Sequence, residues 1–359
     1  MQNVFLMRTL ICLFILSVSV GAAFASVPEN DEKYTNSDMI IHHISDSHEW
    51  HIITIKKGKH NEVKVSIPLP VILWHKGLHV FLSSKIDKEK VIQIGCTHIV
   101  YEHGKFYLTN SEGWIQHDEN GTITNVKPLD LSITRNVASM LLSATLLLLI
   151  FGSAAKGYSK RGGISVPKGI QMLVEPLVLF IRDDIVKEQI HNKRKADFFI
   201  PYLLTLFCFI IINNLIGLVP FFPGGSNVSG NISFTFTLAV ITFFAVNIFA
   251  SKNYWKHLFL APGIPIPIKV FFIPIEFIGL FTKPFALMLR LFANITAGHI
   301  IILSLTSIIF VLGTIAVSPL TIALSLMMFL LELLVAFLQA YIFTLLTALF
   351  IGMAVNEAH

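Results

Sequence analysis

Apolar and polar positions divide this chain into three stretches of different texture. Residues 1–25 hold one basic residue, Arg8, then an apolar run from Leu10 to Val20, and close on Ala23-Phe24-Ala25. That is the pattern of a secretory signal removed after about Ala25, and the run is shorter than the roughly 17–25 residues of a full membrane span. Residues 26–133 are polar, with β-forming stretches at Trp50–Ile55, Val63–Ile67, Val91–Ile94 and Lys105–Leu108. Turn chemistry separates them at Lys57-Gly58-Lys59, Asn110–Gly113 and Asn120-Gly121. The pattern predicts a small β-containing extracytoplasmic N-terminal domain.

From residue 134 onward the texture is that of lipid-embedded helices. Asn136–Ala155 is free of charge, and further apolar runs cover Phe199–Val219 and Phe234–Ala250. Between the first two, Gly169–Ile190 places Leu173, Leu177, Ile181 and Ile185 at helical spacing, with Arg182, Asp183 and Lys187 on other faces. This predicts an amphipathic helix on the inner membrane surface. Two long apolar segments follow, about 270–312 and 319–357, with Ser318-Pro319 as a helix-start signal. At 1.5 Å per residue the last would be roughly 58 Å long, too long to stand upright in a ~30 Å hydrocarbon core. The expected fold is an all-α polytopic membrane domain over 134–359 with two long tilted C-terminal helices.

Composition agrees: 54% of residues are hydrophobic and only 14% charged, against about 25% charged in soluble chains. A net charge of +5 could suggest nucleic acid, but the basic residues lie where topology uses them. Nine fall in 156–198, none in 220–233, three in 251–269, and no Lys or Arg follows Arg290. By the positive-inside rule 156–198 and 251–269 face the cytoplasm, while 26–133 and 220–233 lie outside, in a bacterial inner membrane. Cys12, Cys96 and Cys208 are too scattered for a disulfide framework or thiolate metal site. Ten of the fourteen histidines, among them His42, His43, His48 and His51, fall in 26–133. Their spacing fits no closed zinc set, so they read as solvated loop residues, with no metal.

Few ionisable residues interrupt the two long segments: Glu276, Lys283, Arg290, His299 and Glu332. An arginine at mid-helix depth costs about 2.5–3.5 kcal/mol to insert, so it needs a purpose or a partner. At about 100° per residue Glu276, Lys283, Arg290 and Asn294 share a stripe within about 40°, while His299 faces the opposite way. Glu332 and Gln339 share a face of the last helix.

Arg290-Leu-Phe-Ala-Asn294-Ile-Thr-Ala-Gly-His299, preceded by Glu276 and Lys283-Pro284, closely resembles the a subunit of F-type ATP synthases. Glu332, Leu338-Gln339-Ala340-Tyr341-Ile342-Phe343, the ending Asn356-Glu357-Ala358-His359, and Asn214 ahead of Leu218-Val219-Pro220 carry the same likeness. The resemblance covers about 134–359 and does not extend to 26–133. It implies that Arg290 is the essential arginine facing the carboxylates of a rotating c-ring. It implies that Asn294, His299, Glu332 and Gln339 line a half-channel from outside, that Glu276 belongs to the one toward the cytoplasm, and that Asn214 is a further half-channel residue. His299 and Glu332 stand in the exchanged order found in one part of the family, which suggests a working pair and favours H⁺.

The partners it implies are the c-ring, the b subunit of the stator stalk, the remaining synthase subunits and the lipid bilayer, with no cofactor. Neither G-x-x-x-x-G-K-[ST] nor G-x-G-x-x-G occurs, so nucleotide chemistry belongs to other subunits. Two other classes are weighed. A secondary ion-coupled transporter should show internal repeats, and none is seen. An intramembrane enzyme should add a motif such as HExxH or GxSxG, and none is present.

Overall fold

The computed structural model describes residues 46–56, 62–86, 91–94, 97–102, 104–118, 123–160, 166–219, 222–260, 265–312 and 318–356. The signal segment, His42, His43, Cys12, Cys96, the turns at Lys57–Lys59 and Asn120-Gly121, and Glu357–His359 lie outside them. The chain divides into two compact units, residues 1–140 with 219–226, and residues 141–218 with 227–359.

The first unit is built of short antiparallel strands. β1 (Glu49–Lys56) pairs with β2 (Glu62–Pro68). β3 (Pro70–Trp74) lies between β4 (Leu78–Leu82) and β8 (Leu129–Asp130), and β6 (Thr97–Glu102) between β5 (Ile92–Ile94) and β7 (Lys105–Thr109). Val71, Leu73 and Phe81 from one sheet and Ile92, Ile99 and Phe106 from the other make a single core. Alternation in β3, with Val71 and Leu73 buried, gives that sheet its inner face. Fully burying side chains of this size is worth about 1.5–3 kcal/mol each.

Four of the eight strands were not expected. β3 follows two prolines, Pro68 and Pro70, which argue against a strand. It is accommodated because Pro70 takes the first position, where its carbonyl accepts from Ile133 N at 3.1 Å. β4 and β6 carry histidines within their runs, and β8 has only two residues. His48 is also not the solvated residue its neighbours suggested. It is 6% exposed and packs edge-on against Tyr101 and Phe106. Its Nε2–H donates to Asp130 Oδ2 at 2.9 Å, since a carboxylate can only accept, leaving Nδ1 to accept from the Tyr101 hydroxyl at 3.3 Å.

Beyond these strands the chain is helical. α1 spans Arg135–Lys160, α2 Gln171–Phe180, α3 Lys187–Gln189, α4 Lys193–Leu218, α5 Ile232–Ile248, α6 Lys252–Leu260, α7 Ile266–Leu312 and α8 Ser318–Val355. Arg135–Ser159, Lys193–Leu218, Val270–Ile308 and Ser318–Val355 are long and apolar enough to cross a membrane, and α5 is a shorter apolar helix. With 47 residues, α7 is about 70 Å long. It contains Pro274 and Pro284, which a membrane helix tolerates and which permit bending. Asn231 caps α5, its side chain accepting from Ser233 N at 2.9 Å.

The core of the second unit joins α4 (Phe199, Leu203, Phe207, Ile210), α7 (Leu287, Leu291, Ile295) and α8 (Ala340, Phe343, Ala348, Ile351, Ala354). Small residues on α8 allow close backbone approach, as van der Waals packing in lipid requires. Ile181–Val186, between α2 and α3, is π-helical. Its i→i+5 spacing brings Ile181 and Val186 into line, and with Ile185 and Ile190 they join the same core. Within α2 Val174 is buried and Leu173 is 72% exposed.

Candidate functional site

α7 and α8 pack antiparallel, so each step forward on α7 meets an earlier residue of α8. Near one end Lys283 Nζ lies over the Phe350 ring, 5.8 Å from its centroid. Further along, Asn294 Nδ2 donates to Gln339 Oε1 at 2.9 Å. Further still, His299 Nδ1 stands 3.5 Å from Glu332 Oε1. Gln339 and Glu332 are two turns apart on α8, and both are buried, at 1% and 4% exposure. The sequence reading sent the Arg290 stripe and His299 toward different partners. In the structure Asn294, on that stripe, and His299 both meet α8.

Room for the Glu332 carboxyl comes from Gly298. A Cβ added at Gly298 would lie 3.0 Å from both Glu332 Cδ and Oε1. Neither carboxyl oxygen has a hydrogen-bond partner among the described residues, and the same holds for Gln339 Nε2 and Ser325 Oγ. Ser325, Glu332 and Gln339 recur every seven residues, so these orphan polar atoms form one buried seam along α8. Buried polar groups normally find partners, and a seam that lacks them suits passage of water or protons rather than packing.

Asn214 extends the polar line to α4. Its Nδ2 donates to Ala336 O at 3.1 Å, and its Oδ1 accepts from Ser229 Oγ. Thr296 Oγ1 donates to Gly230 O at 3.5 Å. The Asn227–Gly230 turn is thereby tied to α4 and α7, and through Asn214 to α8.

Arg290 stands apart from these pairs. Its side chain is exposed on α7, and among the described residues no hydrogen bond or ion pair engages it. It is not enclosed by this chain's own helices. Ala286, Ala293 and Ala297, also exposed, flank it at helical spacing. An arginine on a stripe of alanines gives another helix room to approach closely.

Glu276, on α7 one helical repeat and more before Arg290, meets a different group. Burial, and then the Glu276 carboxylate, raise the pKa of the Tyr254 phenol on α6. Tyr254, Lys283, Asn247, Thr242 and Phe350 line an open cleft of about 330 Å³. Asn247 Nδ2 is engaged with Phe243 O at 2.7 Å, and its buried Oδ1 has no hydrogen-bond partner among the described residues.

The structure thus unites Asn294 with Gln339, His299 with Glu332, and Asn214 with the α8 backbone, while Arg290 and Glu276 stand outside that cluster. Sequence reasoning missed Ser229, Thr296, Gly298, Ser325 and the alanine stripe. The seven-residue spacing of Ser325, Glu332 and Gln339, and Ala286/Ala293/Ala297 around Arg290, were the available signals. Among the described residues no group of three or more His, Cys, Asp or Glu could hold a metal ion.

Comparison with known proteins gives two family matches. The profile described as ATP synthase A chain matches residues 137–352, and one described as a domain of unknown function matches residues 39–131. The chain is 48% identical over 239 residues to ATP synthase subunit a of Chloroherpeton thalassium, covering 64% of this chain and 70% of that protein. It is 46% identical over 237 residues to ATP synthase subunit a of Chlorobium phaeobacteroides strain BS1, covering 64% and 68%. With ATP synthase subunit a of Anaeromyxobacter dehalogenans it shares 41% identity over 247 residues, covering 67% and 62%.

Proposed function

Since the chain belongs to the ATP synthase A chain family, we propose that α7 and α8 carry its two proton half-channels, separated by Arg290. Within the family it is the stator a subunit of an F-type ATP synthase, a multi-pass membrane protein associated with the rest of that complex. The ring of c subunits packs on the exposed Arg290–alanine face of α7, and the b subunit joins the chain to the stalk. The complex resides in a bacterial inner membrane with the N-terminal domain outside, after removal of a signal ending near Ala25.

The observation that carries the reading is the division of polar groups about Arg290. On one side lie Asn294–Gln339, His299–Glu332 and Asn214; on the other lie Lys283 and Tyr254, which line an open cleft, and Glu276, whose charge acts on Tyr254. Protons from outside pass along Asn214, Glu332, His299, Gln339 and Asn294 to a ring carboxylate. A carboxylate crosses lipid only when protonated, because a bare charge in hydrocarbon is too costly. Beside Arg290 it can ionise, since a nearby cation favours its charged form. The guanidinium is a fixed positive charge that repels a proton and so blocks direct transfer between the two paths. Protons leave toward the cytoplasm by way of Glu276. Each charge crossing is worth about 2.3 kcal/mol per 100 mV, and this turns the ring.

The test is Arg290→Ala in whole complexes. ATP-driven acidification of inverted vesicles should be abolished while the complex still assembles. Arg290→Lys should fail as well, because a point charge does not reproduce the planar fork. Normal pumping by the alanine variant would overturn the proposal.

A further inference from the structure

The N-terminal domain has no assigned role, yet it grips a loop whose continuation is tied to the polar line of the membrane unit. Trp50 of β1 is 7% exposed. Its ring meets Phe222 edge-on with centroids 5.2 Å apart, and its Nε1–H reaches Gly224 O at 3.4 Å. Ser226 Oγ, fully buried, donates to Asn136 Oδ1 at 2.9 Å. Asn136 N in turn donates to Asp46 Oδ1 at 3.1 Å, and Arg135 N to Ser47 O at 2.8 Å. Residues 46–50 therefore hold both the first turn of α1 and the segment 222–226, all within the first unit.

That segment continues covalently into the Asn227–Gly230 turn. Asn227 Oδ1 accepts from Gly230 N at 2.9 Å, which closes the turn and presents Ser229 to Asn214 and the Gly230 carbonyl to Thr296. Only a few bonds separate the last residue gripped by the domain from Ser229. A hydroxyl that must meet one amide oxygen, on a loop with three glycines, depends on where the loop begins.

We propose that Trp50 is a positioning residue for proton uptake: by fixing 222–226 the N-terminal domain sets the Asn227–Gly230 turn, and with it Ser229, against Asn214. This rests on the half-channel reading above. The domain is a support for the outer path and takes no part in proton transfer itself.

The experiment uses the whole complex in inverted vesicles, with ATP-driven acidification followed over a pH series. Trp50→Ala should lower the rate about fivefold, the factor that corresponds to losing one hydrogen bond of ordinary net strength. It should also change the pH profile in the same sense as Ser229→Ala. The double variant should be no slower than the slower single, because both act through the same contact. Trp50→Phe, which keeps an aromatic ring toward Phe222 but loses the N–H and part of the indole's area, should lie between. Trp114→Ala, a change of an exposed tryptophan in the same domain, should pump as the native complex does. If Trp50→Ala complexes do not assemble, Trp50→Phe decides: an intermediate rate supports the proposal and a native profile overturns it. If Ser229→Ala and His299→Ala alter the profile while Trp50→Ala does not, this inference alone fails, as it does if the Trp50 and Ser229 losses multiply. If Ser229→Ala and His299→Ala are themselves silent, the half-channel reading falls and this inference with it.

Discussion

Gly298 sets how much room the Glu332 carboxyl has. A methyl at that position would press on it at 3.0 Å, closer than ordinary van der Waals contact, so the carboxyl must shift by a few tenths of an ångström and its 3.5 Å approach to His299 must change. We expect Gly298→Ala to slow ATP-driven acidification severalfold, since overpacking of a tight site costs about 1–3 kcal/mol. Glu332→Asp in the same chain, shorter by one methylene, should return part of the rate; equal rates for native and Gly298→Ala complexes would refute the steric argument. A second residue-scale prediction concerns Asp130. Burial raises its pKa, but hydrogen bonds from His48 and Ser132 outweigh this and hold it below the usual carboxylate value. A lowered folded pKa means that the pair stabilises the domain above the unfolded pKa of about 4 and that this is lost as pH falls through the folded value. Amide exchange in β6 and β8 of the full chain should therefore be faster in Asp130→Asn at pH 7, and the difference should shrink as the pH falls from about 4 through the lowered folded pKa. Residue identity and spacing made Arg290, Asn294, His299, Glu332 and Gln339 legible as candidates. They could not make Gly298 legible, because its role lies in the side chain it lacks and in a contact 34 positions away.

Among the helices, the C-terminal end of α8 is the most tightly held. Asn356 Nδ2 donates to Gln189 O at 3.1 Å and its Oδ1 accepts from His191 N at 3.1 Å. Lys195 Nζ donates to Val355 O at 3.0 Å, a cation at the negative end of the helix dipole. Ser251 N adds a bond to Ala354 O at 2.8 Å. The π-helical turn and α3 therefore dock on α8, a contact that the sequence pattern did not indicate. Gly352 makes that approach possible, because a Cβ there would fall 2.2 Å from Gln189 O, a backbone atom that cannot swing away. Gly352→Ala should lower the thermal midpoint of the purified complex by several degrees, or reduce its yield, at a cost of about 1–3 kcal/mol. An unchanged midpoint and yield would show that α3 is not held there. The helices themselves were legible from run length and hydropathy, and their observed bounds differ from the expected runs by a few residues at either end. The π turn was not, because a period read at 3.6 residues carries no signal for one turn of a different pitch. The strands β3, β4, β6 and β8 were missed because proline, histidine and brevity weaken a period-2 pattern that partner strands then stabilise.

At the scale of the whole molecule, the proposed orientation in the bilayer rests on where cations and connections fall. Lys and Arg concentrate in 156–198 and 251–269 and are absent from 220–233, which by the positive-inside rule puts the first two in the cytoplasm. The fold adds an independent reason for the rest. Residues 219–226 belong to the same compact unit as the N-terminal strands, and we propose that both lie on one side of the membrane. For that to hold with the basic loops opposite, α1, α4 and α5 must each cross. With 17 residues, α5 is about 25 Å long, at the lower edge of what spans a ~30 Å core, so local thinning or flanking polar residues must make up the difference. The prediction is a labelling pattern in intact cells, using a chain freed of its native cysteines. Pro223→Cys should react with a membrane-impermeant maleimide added outside. Val166→Cys, 75% exposed in the native chain, should react only in inverted vesicles. Reaction at both positions from outside would mean that α4 does not cross. The reversed pattern would turn the protein over, and would send protons through the Glu332 path from the cytoplasm rather than toward it.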